Sequence, residues 1–268
     1  MKHISNLLMW SKAFGSDSGG ATGGGDIDAL IEGSITEVTS GASVVKMYTF
    51  YGCTALTSVD LPNATSIGDG AFYRCKALTN VDFPNVTSIG ASAFYDCTVL
   101  TRIDLPSVTS IGTSAFYNCK ALTSVDLPNA TSFLNNAFYD CKALTSVDFP
   151  SATSIGTSAF GGCTALTSVD LPNATSIGAS AFSGCTVLTS VDLPNVKSIS
   201  TSAFYNDYKL KSVRLPATPP TLSNANAFGY INASCVFYIP TGSLAAYQAA
   251  TNWSSLTSTY SFVEEDRA

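Results

Sequence analysis

Apolar positions recur along this chain with a period of 22 residues. From Cys53 the order is CxxLTxVDLPxxTSIGxxAFY, and it returns with small changes as far as about Thr218. In the first unit Leu56, Val59 and Leu61 are apolar while Ser58 and Asp60 between them are polar. That alternation predicts a short strand over residues 58–61 with one face turned inward. Proline cannot donate to a sheet ladder, so Pro62 and its repeats at Pro84, Pro106, Pro128, Pro150, Pro172, Pro194 and Pro216 end the strand at one height in every unit. Asn63 then suits a turn. Ile67 and the pair Ala71-Phe72 predict a return across the opposite wall, and Phe50, Phe94, Phe116, Phe138, Phe160, Phe182 and Phe204 continue the same position. A single unit cannot bury such a face. Successive units must therefore stack, with stability close to a sum of nearest-neighbour contacts. With strands about 4.8 Å apart, eight coils make a rod of about 40 Å.

A repeat of this length around an LxxVxL core is the signature of a leucine-rich repeat solenoid. The expected fold is an α/β repeat with a parallel sheet on one face, short helical or irregular turns on the other, and a C-terminal cap. The fuller spacing CxxLTxVDLPxxTSIGxxAFYxC resembles the BspA-like leucine-rich repeat family from about Ser34 to the C-terminus. ATPPTL at Ala217 to Leu222 and YIPTGSLAAYQAATNW at Tyr238 to Trp253 are similar to the closing module that often follows such repeats. The resemblance implies a bacterial surface or phage-tail setting, adhesion to a protein or glycan partner, and binding in place of chemistry.

Four segments follow from the pattern. Residues 1–25 carry Ile4, Leu7, Leu8, Trp10 and Phe14, spaced for a short amphipathic helix, followed by the Gly/Ser tract SDSGGATGGG. The apolar run is short and lacks a small-residue cleavage site, which makes it a poor secretory signal. Residues 26–52 form a degenerate opening coil, with a strand in ITEV at Ile35 to Val38 and with Val45 and Phe50 in the Ile and Phe places. Residues 53–218 are the solenoid. Residues 219–268 are the cap, with a strand at Val236 to Ile239, a helix from about Leu244 to Ala250, and Trp253 and Phe262 placed to cover the open core.

Composition narrows the function classes. Charged residues make up 12% of the chain and the net charge is −6, which leaves no clustered basic patch for a nucleic-acid backbone. No apolar run approaches a membrane span. The single histidine, His3, lies outside the repeats, so the solenoid can build neither a Ser-His-Asp arrangement nor a His-based metal site. No catalytic residue, cofactor or metal is expected. Cys53, Cys75, Cys97, Cys119, Cys141, Cys163 and Cys185 stand one per unit, with Asp207 in the next place. Parallel side chains on adjacent coils suit a disulfide poorly, so the thiols are expected to be free and buried.

Two outward columns are candidates for binding. Asp60, Asp82, Asp104, Asp126, Asp148, Asp170 and Asp192 line the strand face, with Arg102 beside Asp82 and Asp104. Neighbouring charges about 5 Å apart in water repel by only about 0.8 kcal/mol, so a solvated column is tolerable. Its monotony suits a structural spacer or phage-tail component better than a specific site. Tyr51, Tyr73, Tyr95, Tyr117, Tyr139 and Tyr205 form the second column, broken at Gly161 and Ser183. Here the coil edge varies, through Arg74, Asp96, Asn118, Asp140 and the nearby Lys76, Lys120 and Lys142. Because Tyr and Arg carry much of the energy of interfaces, Tyr73, Arg74, Lys76, Tyr95, Tyr117 and Tyr139 are the candidate binding residues. The same column also reads as plain ring stacking along the edge.

Overall fold

A computed structural model describes residues 37–39 and 41–266. The segment 1–25 with its apolar positions, and Asp26 to Gly33, lie outside the described residues. The chain winds as a parallel β-solenoid in which each coil contributes two strands. The three-residue strands begin at Glu37–Thr39 and Ser58–Asp60 and recur through Ser212–Arg214. Each pairs in register with its neighbour, as in Ser58↔Asn80, Val59↔Val81 and Asp60↔Asp82. Glu37–Thr39 opens this ladder with Val38 opposite Val59, and Ile35 and Thr36 of the expected ITEV strand lie outside the described residues.

The second strand of each coil has two residues, from Val44–Val45 and Ser66–Ile67 to Thr221–Leu222, and these form one unbroken nine-stranded sheet. Side chains reinforce it. Thr87 donates both its amide and its hydroxyl to the carbonyl of Thr65, at 2.9 and 3.1 Å, and the pattern recurs along the column. The turn after each proline is tied in the same way, because the Asn85 and Asn129 amides donate to the carbonyls of Pro62 and Pro106 at 2.7 Å. The strands of the first face are less continuous. They fall into sheets of three, two and six strands, with seams between Asn80–Asp82 and Arg102–Asp104 and between Ser124–Asp126 and Ser146–Asp148.

The core runs the length of the rod. Val59, Leu61, Ile67, Ala71 and Phe72 are buried, as are their apolar repeats apart from half-buried Val38 and Val125. The Phe rings from Phe50 to Phe228 stack at 5.0 to 5.4 Å between successive coils. Beneath them the thiols form a ladder in which Cys75 donates to the Phe50 carbonyl at 3.0 Å, and each Cys as far as Cys185 repeats the contact with the Phe 25 residues earlier.

The C-terminal end is closed by helices α1, Leu244–Ala249, and α2, Trp253–Thr259, and by the strands Val236–Pro240 and Ser261–Glu265, which are the last two of the six-stranded sheet and run parallel to the rest. Trp253 is fully buried and stands edge-on to Phe237 and Phe262, which stack on each other at 4.9 Å.

Candidate edge surface

The tyrosine column is fixed by the backbone of the third wall. In each coil the chain dips twice into the left-handed region, at Gly70 and Arg74 in one coil and at Ser92 and Asp96 in the next. This turns Phe72 inward and Tyr73 outward. It also aims alternate amides at the following coil, so that Phe72 N–H donates to Ala93 and Arg74 N–H to Tyr95, both at 2.7 Å. Asp96, Asn118, Asp140 and Asn206 at the second position are among the side chains that tolerate that conformation, and Gly162 and Gly184 carry no penalty. Arg74 and, in the closing coil, Tyr230 are the exceptions, held there with φ 58° and 57°.

With the coils locked, Tyr51, Tyr73, Tyr95, Tyr117 and Tyr139 stack face to face at 4.7 to 5.0 Å and within 15° of parallel. Their faces are used on one another. What the column offers outward is a rail of ring edges and hydroxyls, open at the first ring, where Tyr51 is 48% exposed. The Tyr95 and Tyr117 phenols are pushed above their ordinary range, first by partial burial and then by neighbouring phenols and a nearby aspartate. The column ends where Gly161 has no side chain and the Tyr139 ring folds down over it. Tyr205 stands apart, edge-on to Tyr230 at 5.2 Å.

Arg74 and Lys76 do lie beside the rings, and both are tied to Asp96, at 3.7 and 3.8 Å. The Arg74 guanidinium also stands over the Tyr73 ring at 5.4 Å. Lys142 pairs with Asp140 at 3.4 Å. Arg74, Lys76 and Lys142 therefore belong to small mixed-charge clusters. Among the described residues, the expected set Tyr73, Arg74, Lys76, Tyr95, Tyr117 and Tyr139 shares one edge of the rod.

The strand face carries the aspartates in register as far as Asp192, with Arg214 next in line. Asp170 is raised above the usual carboxylate range by partial burial and then by Asp148 and Asp192. Arg214 is bound to Glu265 at 2.9 Å, so the change of charge sign at this end is compensated by the cap. At the first seam a groove of about 340 Å³ opens, lined by Asn80, Asp82, Pro84, Arg102, Asp104 and Pro106. Arg102 pairs with Asp104 of its own strand at 3.2 Å, along one bank of the groove. No three His, Cys, Asp or Glu side chains among the described residues gather as a metal site, and no described helix is long and apolar enough to cross a membrane.

The family described as BspA type leucine rich repeat region matches residues 43–166 and 131–245, in six copies. Among solved structures, a leucine rich repeat protein of T. pallidum is 25% identical with a TM-score of 0.51, covering 84% of this chain and 91% of its own. A leucine rich cell surface protein of Faecalibacterium prausnitzii is 21% identical with a TM-score of 0.46, covering 87% and 78%. No curated protein matches the chain.

Proposed function

Since the chain belongs to the BspA-type leucine-rich repeat family, we propose that it is a non-enzymatic binding protein that presents the tyrosine edge of a rigid rod to a protein or glycan at a bacterial cell surface. In this proposal residues 53–218 are the presenting solenoid, 26–52 its opening coil, 219–268 its closing cap and 1–25 a tether. The observation that supports it is the rail of five stacked tyrosines, flanked by Arg74 and Lys76, on the one side of the repeat whose residues vary. Because the ring faces are taken, the partner meets ring edges and phenolic hydroxyls at a fixed 4.7 to 5.0 Å spacing. That arrangement favours an extended partner with repeating hydrogen-bonding groups over one that slips a ring between the tyrosines.

The test is a screen of immobilised glycans and extracellular proteins against the purified chain, followed by replacement of Tyr73, Tyr95 and Tyr117 with Ser. Affinity should fall by at least about 2 kcal/mol, with the circular-dichroism spectrum unchanged. If that variant binds normally while replacement of Asp82, Arg102 and Asp104 abolishes binding, the surface is the strand face. A second reading, a spacer or phage-tail component without its own ligand, is favoured by the monotonous Ser and Asp columns of that face. It predicts that neither set of changes alters attachment, while shortening the rod does.

A further inference from the structure

The thiol ladder ends on an acid. In six successive coils, from Cys75 to Cys185, a buried thiol donates to the carbonyl of the Phe 25 residues earlier. Asp207 stands in the seventh place, fully buried, and the residue 25 positions before it is Phe182. As a carboxylate it has no suitable partner there, and neither of its oxygens accepts a hydrogen bond. The nearby amides of Gly184 and Cys185 are committed to the carbonyls of Tyr205 and Phe182, at 2.8 and 3.1 Å. An ionised carboxylate left in such a place is far more costly than a neutral acid.

We propose that Asp207 is folded as the neutral acid and donates its proton to the Phe182 carbonyl, as the thiols do, so that its ionisation loosens the last coil beneath the cap. The surroundings contain little to resist that. From the preceding coil it faces Cys185, a neutral thiol; the register of the Phe stack puts Ile231 in the matching place of the following coil; and on its own coil Tyr208 is exposed to solvent. Burial raises the Asp207 carboxyl from the ordinary 3.8 to about 9, an effect the nearby amides reduce only in part. Because the folded value is the raised one, the stabilisation is fully present below about pH 4 and is lost as pH climbs to about 9.

The window from pH 5.5 to 7 isolates this group. The chain's one histidine is His3, outside the repeats, and the thiols, at about 8.5 in the unfolded chain and higher when buried in the ladder, stay protonated in both states there. Urea unfolding of the full chain at pH 5.5, 6.2 and 7 should show the unfolding constant rising by about tenfold per pH unit. Asp207→Cys restores the repeat residue and should remove that slope; Asp207→Asn, a neutral donor of the same shape, should do the same. Exchange of the Leu210 amide, which donates to the Asp207 carbonyl at 2.9 Å, should accelerate with pH beyond the chemical rate in the parent and not in Asp207→Cys. A flat parent profile, or a slope that persists in Asp207→Cys, overturns the proposal.

Discussion

At the residue scale, glycine shows how a repeat restricts side chains through its neighbours. Gly68, Gly90, Gly112, Gly156 and Gly178 hold one column without a positive φ, and a Cβ added at Gly112 would lie 2.5 Å from the Gly90 carbonyl carbon. Gly112→Ala should therefore cost about 1–3 kcal/mol in urea unfolding through backbone displacement. At Gly52, where φ is +71° and nothing crowds the site, Ala should cost about 1–2 kcal/mol through strain alone. The cause was legible in the sequence, because Lys46, Leu134 and Ser200 occupy the same column and a turn requiring glycine would not admit them. Leu134 is accommodated by leaving its side chain half-exposed and lengthening its amide bond to Ile111 to 3.3 Å, against 2.7 to 2.9 Å at the glycines. What was not legible is the left-handed turn at Ser92, Ser114, Ser158, Ser180 and Ser202, because serine gives no sign of it. The thiols carry a second prediction. Burial raises Cys53 to about 11 and Cys163 to about 12, so at pH 8 both remain thiols. A thiol reagent should label native protein slowly, with half-buried Cys53 first, and should count eight free thiols after denaturation without reductant. A count near zero would mean that the ladder is oxidised.

At the scale of elements, the strand of each repeat was readable because its Val and Leu alternate with Ser and Asp, whereas the second ladder was not. Two residues such as Ser66–Ile67 are too few to show a period, and their strand character comes from the Thr and Asn bonds between coils. The cap divides in the same way. Its strand at Val236–Pro240 and helix α1 follow from local pattern, but α2, with the sequence WSSLTST, has no apolar period and forms because Trp253 is held from outside it. The Trp253 Nε1–H donates to the Pro220 carbonyl at 2.7 Å, beside the Tyr247 hydroxyl on the Pro216 carbonyl at 2.7 Å. Trp253→Ala should destabilise the cap by about 3–5 kcal/mol. Trp253→Phe keeps most of the packing but leaves a buried acceptor unmet, at about 1–3 kcal/mol. Differential scanning calorimetry of the two variants would rank them. The candidate edge was legible as a column of residues, but the use of the ring faces was not, because it depends on a coil spacing that the composition does not reveal.

At the scale of the molecule, each coil touches mainly its two neighbours, so length should be adjustable in whole coils. Deleting Thr164 to Cys185, which is 22 residues, joins Cys163 to Thr186 and keeps every column in step. That chain should fold and unfold cooperatively with a smaller denaturant dependence, while a deletion of half a coil should not fold. Urea titration monitored by circular dichroism distinguishes them. The two walls of the rod also differ mechanically. On one side the nine short strands and the Phe stack run without interruption, whereas the three-residue strands on the other are divided by two seams, and near the second the Thr145 amide reaches Thr123 at 3.4 Å against 2.9 Å in the next coil. Load carried along such a rod concentrates strain at the seams. The continuous wall acts as a backing strip and the divided wall as hinged plates, so the rod bends more readily in the direction that parts the aspartate face than in the direction that stretches the strip.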